Sequence, residues 1–190
     1  MQYGATSIIP YGHDPVFIQR HLGITNHFGF APVDADNPTS DIEIVYPVEF
    51  HEGVLALLAD YDAVYHRVVA IPAALDRVWA LRKQNMARMT LPSGAVLDLD
   101  DTTLDRLTQA SNLIDKARER GVKLDFIKWE LVKGMFVTWP VKDVQDMAFL
   151  SGMHVQLTFA YQSDLYDAVR ATTDAPGLAA VGIENGWPNQ

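Results

Sequence analysis

The chain contains no cysteine. That excludes disulfides, thiolate nucleophiles and cysteine-based metal sites, and it leaves the redox compartment open. Long apolar runs are also missing. No stretch approaches the roughly 18–20 apolar residues of a membrane-crossing helix, so no membrane span is expected. The start, Met1-Gln2-Tyr3-Gly4-Ala5-Thr6, lacks a basic region followed by an apolar run, so no signal peptide is expected. Synthesis in a bacterial-type cytosol is the matching expectation. Positive charge is scarce: 15 Lys and Arg stand against 24 Asp and Glu, for a net charge of −9. Bulk electrostatics therefore disfavour nucleic acid and anionic lipid, and no dense basic patch offsets this. Sequence-legible catalytic motifs are absent too. There is no Gly-x-Ser-x-Gly, no Walker loop and no dinucleotide fingerprint, and His51 and His66 lack HExxH spacing.

What is present is apolar material, 48% of 190 residues, enough for a real core. The length fits one domain with an appendage, or two small domains. Residues 1–48 are interrupted by Pro10, Pro15, Pro32, Pro38 and Pro47, which exclude long helices and central strands. A short helix from Pro15 to Leu22, ended by Gly23, and a strand from Asp41 to Tyr46 are predicted. The segment is too rich in Phe, Tyr and Ile for a solvated tail and too broken for a core of its own. It is therefore expected to be an extended arm lying along helices or a neighbouring chain, or else a loop-rich cap. From 49 to 89 the period turns helical, with Val54, Leu57, Leu58, Tyr61, Val64, Tyr65 and Val68 on one face. Pro72 is expected to kink or end this helical stem.

Residues 90–190 are expected to form a β-α-β-β-α module with a C-terminal tail. Ala95 to Asp100 alternates as a short strand. Thr102 and Asp105 resemble a capping box for the next helix, which Gly121 ends. The stretch Asp125 to Thr172 is the best specified. Ile127, Trp129 and Leu131 alternate, Lys133-Gly134 turns the chain, and Trp139-Pro140 opens a helix reaching about Thr172. A two-residue turn puts Ile127, Trp129, Leu131, Phe136 and Thr138 on one sheet face. Val132, Met135, Val137 and Trp139 then share the other face with Lys128 and Glu130. In the long helix, Met147, Leu150, His154, Leu157, Tyr161, Leu165 and Ala168 form the main stripe. Phe149, Met153 and Ala160 form a neighbouring one. The fold class is α+β and helix-rich, a small antiparallel sheet packed on helices, with a helical stem and an extended N-terminal arm. Core anchors are Trp129, Leu150, Leu157 and Tyr161, and Trp187 pins the tail.

The run from about Trp79 to Thr173 resembles an uncharacterised domain family of tailed bacteriophages. That family is found in tail fibres, tail-fibre assembly proteins and other late tail genes. The resemblance is carried by Arg82 with Arg88 on a helix and by Gly94-Ala95-Val96-Leu97-Asp98-Leu99-Asp100 as strand. It continues through the helix Leu107 to Ala117, the strand Ile127-Lys128-Trp129 and the last helix, Val141 to Thr173. About half the chain is covered, and residues 1–75 are not. The family has no established catalytic residues. The resemblance implies a non-enzymatic structural component of a phage tail, associated with tail fibre or baseplate and acting by protein–protein docking. Two alternatives remain: a tail-fibre assembly chaperone that binds the fibre tip, and a cell-wall-degrading tail enzyme. Tail-fibre or baseplate proteins are the implied partners, with self-association as a further option. The implied location is the virion, after synthesis in the host cytoplasm.

Candidate chemistry is thin. Counting an EF-hand from Asp98 puts Thr103 and Gln109 where Gly and Glu belong, so Asp98, Asp100, Asp101 and Asp105 read as a strand-to-helix junction. His13, His21 and His27, with Asp14, match no compact metal motif and read as surface or interface histidines. His154 reads as a hydrogen-bonded core histidine. For a glycosidase, Glu49, Glu52 and Glu130 are available, but no spacing singles out a pair. No catalytic residue, metal or cofactor is expected. The better lead is apolar: Tyr11, Phe17, Phe28, Phe30, Met135, Val137 and Trp139 are the candidate partner-binding residues, since interface cores favour aromatics and Met.

Overall fold

The computed structural model describes residues 4–188 apart from 92, 93, 95 and 133; the side chains of 131, 132 and 135 lie outside it. The fold is helix-rich α+β, with small antiparallel sheets and helices. The chain divides into two compact units, Met1–Pro72 with Thr173–Leu178, and Ala73–Thr172 with Ala179–Gln190.

The first unit holds a three-stranded antiparallel sheet, β1 (Ala5–Ile9), β2 (Gly29–Pro32) and β3 (Ile42–Tyr46), in the order β1-β3-β2. Alternation along β3 sends Ile44 and Tyr46 inward and Glu43 and Val45 to solvent. Helix α1 (Pro15–His21) is framed at both ends. The Asp14 carboxylate accepts the Val16 N–H at 2.8 Å, and Pro15 occupies the first turn. At the other end Gly23, at φ 67°, closes a double bond pattern. Its N–H donates to Arg20 O, and the Ile24 N–H donates to Gln19 O at 2.9 Å. That turn drops Ile24 into a core with Ile9, Phe17, Ile18, Ile44 and Tyr46, completed by Val54, Leu57 and Tyr61 from α2 (His51–Ala59) and α3 (Tyr61–Tyr65).

The extended arm expected at 1–48 is therefore corrected: this segment is folded and contributes most of a core. The prolines punctuate the elements instead of preventing them. Pro15 begins α1, Pro32 ends an edge strand, and Pro47 precedes the short 3₁₀ turn Val48–Phe50. The stem is also more broken than its periodicity implies. It stops at Asp60, restarts as α3, and passes through a π turn, His66–Ala70, before α4 (Ile71–Met86). Pro72 follows that wide turn, where the regular i→i−4 ladder is already interrupted, so its missing N–H costs little.

In the second unit α4 leads to a two-stranded sheet, β4 (Arg88–Thr90) and β5 (Val96–Asp98). Arg88 faces Asp98 across it and pairs with it at 3.0 Å. Helix α5 (Asp101–Glu119) is capped by Asp100, not by the expected Thr102; the Asp100 carboxylate accepts the Thr103 N–H at 2.6 Å. Hydrogen bonding to Thr103 holds the Asp100 carboxyl below its ordinary range. Gly121, at φ 67°, ends α5 with the same bond pattern that ends α1: Gly121 N–H to Arg118 O and Val122 N–H to Ala117 O. The antiparallel ribbon β6 (Phe126–Val132) and β7 (Met135–Pro140) follows, then the thirty-residue helix α6 (Val141–Arg170). Leu107 and Ile114 of α5 meet Val144 and Met147 of α6, with Ile127, Trp129 and Trp139 packed against them.

The buried stripe of α6 is rotated from its expected position. It runs Val144, Met147, Ser151, His154, Thr158, Gln162, Leu165 and Val169. Leu157, expected as a core anchor, is 52% exposed, and Ala168 is exposed. Leu150 and Tyr161 are half-buried. Two of its polar members are hydrogen-bonded: the Thr158 hydroxyl donates to His154 O at 2.8 Å, and His154 Nε2 donates to Asn85 O at 2.9 Å. Trp187 is fully enclosed. Its indole N–H donates to Ile183 O, and its ring meets Tyr161 edge-on at 5.1 Å. The Tyr161 hydroxyl donates to Asn185 O, and Arg77 grips Glu184 through two hydrogen bonds. A short helix, α7 (Ala175–Ala180), precedes this C-terminal segment.

Candidate functional site

The β6–β7 ribbon shows how the second unit presents its surface. A uniform two-residue hairpin would pair Trp129 with Thr138. The observed register pairs Trp129 with Val137 and Ile127 with Trp139, because it shifts by one residue between Glu130 and Val132. A one-residue slip moves every side chain beyond it to the opposite face. Trp139 and Val137 therefore join Ile127 and Trp129 on the inner face, where the two indoles stack at 5.5 Å and 22°. The outer face carries Phe126, Lys128, Glu130, Phe136 and Thr138. Phe126 and Phe136 are 59% and 62% exposed.

This corrects three candidate partner-binding residues. Val137 and Trp139 are half-buried ribbon residues on the covered face. Phe17 is a core residue of the first unit, edge-on to Tyr61 and Tyr65. Met135 falls on a side chain outside the described residues. Tyr11 and Phe30 are exposed, and Phe28 is half-buried against the first core with its ring 6.4 Å from that of Phe30. The expected set is thus split between the two units. The residues it missed are Phe126 and Phe136, together with Phe149 (68% exposed), Met153 and Leu157, which follow one another at i, i+4 and i+8 along α6. The α6 residues had a sequence signal, the second apolar stripe of Phe149, Met153 and Ala160. Phe136 had none, since its facing depends on the bulge.

The first unit offers a different kind of feature, a cleft of about 610 Å³ bordered by His13, Tyr61, Tyr65 and His66. The His13 ring lies flat on Tyr61 at 3.8 Å and 13°, with Nε2 3.5 Å from the exposed Asp62 carboxylate. The Tyr61 hydroxyl accepts the Asp14 N–H at 2.6 Å. Burial raises the Tyr61 pKa, aided by the neighbouring Asp14 and opposed by that hydrogen bond. The phenol therefore stays neutral and serves to fix the start of α1. Glu130 has a structural task as well, accepting the Gly134 N–H of the hairpin turn at 2.8 Å. Among the described residues no group of three or more His, Asp or Glu is placed to hold a metal ion, and no helix is long and apolar enough to cross a membrane. No family model matches the chain, and no curated protein or solved structure matches it either.

Proposed function

We propose that the protein is a non-enzymatic structural component of a bacteriophage tail, associated with the tail fibre or baseplate and acting by docking to other tail proteins. The observation that carries this reading is the outward display of large apolar side chains in the second unit: Phe126 and Phe136 on the ribbon, Phe149, Met153 and Leu157 on α6. Exposed apolar side chains grouped on one element cost solubility and are common where protein binds protein. The resemblance of residues 79–173 to a phage-tail domain supplies the setting. A standard interface of about 1,600 Å² is within reach of such surfaces.

The test is quantitative mass spectrometry of washed virions. The structural reading expects the chain in the particle at a copy number comparable to a fibre protein. Presence only in lysates, bound to unassembled fibre, transfers the reading to a fibre-assembly chaperone. Turnover of purified peptidoglycan, lost on changing one carboxylate, overturns both.

A further inference from the structure

Helix α6 carries an exposed stripe whose spacing is the same read from either end. Phe149, Met153 and Leu157 are 68%, 43% and 52% exposed and stand four residues apart. Asp146 and Ala160, each seven residues from Met153, continue the stripe in the two directions. Lys142 and Asp164, each eleven residues from Met153, close it. These four outer positions are exposed as well. The intervals run 4, 3, 4 and then 4, 3, 4. At 3.6 residues per turn all seven positions fall within about 40° of the Met153 direction. The buried stripe from Val144 to Val169 lies on the other side of the helix. At 1.5 Å per residue the exposed stripe is a straight seam about 33 Å long.

A surface with this symmetry fits a second copy of itself. A two-fold interface brings the same patch of both subunits together, so that residue i meets residue j and j meets i. Two antiparallel α6 helices related by an axis at Met153 put Met153 opposite Met153. Phe149 then lies at the level of Leu157 of the second copy, and Asp146 at the level of the small Ala160. The charges select the direction. Lys142, which holds Asp146 of its own chain at 2.5 Å, comes to the level of Asp164 of the second copy, and this happens at both ends of the seam. A parallel pair would set Lys142 against Lys142 and Asp164 against Asp164. The net charge of −9 on each chain is a longer-range repulsion, screened beyond about 8 Å at physiological salt, whereas the apolar seam acts in contact.

We propose that the protein self-associates through this stripe, with two α6 helices packed antiparallel about Met153. The proposal goes beyond docking to tail proteins: it assigns the apolar surface of α6 to a second copy and leaves Phe126 and Phe136 to other partners. The virion measurement above tests the role in the tail; the following experiment uses the purified chain alone, so either can fail without the other.

The test is sedimentation equilibrium of the full chain in physiological salt, combined with cysteine cross-linking, which the cysteine-free sequence makes unambiguous. The expected result is a concentration-dependent equilibrium between monomer and dimer. Met153→Lys, which sets two ammonium groups on the axis, weakens the dimer about tenfold or more. Lys142→Asp weakens it about tenfold, and Asp164→Lys in the same chain restores it. Under mild oxidation Met153→Cys links to itself, whereas Phe149→Cys and Leu157→Cys link far faster when mixed than alone. All these positions are exposed, and far-UV circular dichroism verifies that each variant folds. A monomer at every concentration overturns the proposal. A dimer indifferent to Met153→Lys also overturns it, because the contact then lies elsewhere. Rapid self-linking of Phe149→Cys overturns it too, because it marks parallel helices.

Discussion

The core of the first unit and the ribbon and long helix of the second treat their aromatic residues in opposite ways. In the first, Phe17, Tyr46 and Tyr61 are all buried, Phe17 standing edge-on to Tyr61 and Tyr65. In the second, the indoles of Trp129 and Trp139 stack against the helices while Phe126, Phe136 and Phe149 face solvent. Composition does not separate the two cases, because both stretches are rich in Phe. The difference comes from how many layers each backbone supplies. A three-stranded sheet with helices α1, α2 and α3 encloses the first set. A two-stranded ribbon has one covered face, and whatever alternates onto the other face is exposed. Burial in the first unit is thus a matter of architecture, and in the second a matter of register.

That contrast can be broken or sharpened by substitution. The largest effect is expected from Ile18→Ala, which empties a fully buried position of the first core and costs about 2–5 kcal/mol in urea unfolding. Trp139→Ala comes next. As a half-buried partner of Trp129 it is expected to cost about 2 kcal/mol; a loss of docking with unchanged stability would restore Trp139 to the outer face and contradict the bulged register. Gly186→Ala follows at about 1–2 kcal/mol, since φ is +80° and an added Cβ meets the Tyr161 hydroxyl at 2.6 Å. Asp100→Ala is expected to lower the thermal midpoint by less. Its folded carboxyl titrates below the ordinary range, so the cap contributes fully above that range and is lost as pH falls through the depressed value. Melts of wild type and variant are therefore expected to differ at neutral pH and converge in acid. The smallest stability effect is expected from Phe136→Ser, within about 0.5 kcal/mol, combined with weaker binding to tail proteins in a pull-down.

Much of the fold was legible because its signals are local. Pro15 and Gly23 delimit α1, Gly121 ends α5, the alternation of Ile42, Ile44 and Tyr46 marks β3, and Val141 begins the long helix. His154 sits where an apolar stripe with one imidazole suggested, bonded to a backbone carbonyl. The failures share a physical origin in non-local pairing. Residues 1–48 look too interrupted for a core because the partners that close that core, Val54, Leu57 and Tyr61, come later in the chain. The α6 stripe was rotated because Thr158 and Gln162 are buried by packing that periodicity of apolar residues does not register. The ribbon residues Phe136, Val137 and Trp139 were mis-sorted by one bulged residue, which leaves no mark in hydrophobic patterning.

One feature of the chain path bears on biosynthesis. The first unit owns Thr173–Leu178, so its sequence is interrupted by the hundred residues Ala73–Thr172. A ribosome delivers domains from the N-terminus onward, yet this unit is incomplete until residues 73–172 of the other unit have emerged. The unit begun first is thus completed only after most of the second has been made. A nonsense mutation at residue 173 would therefore remove pieces of both units together.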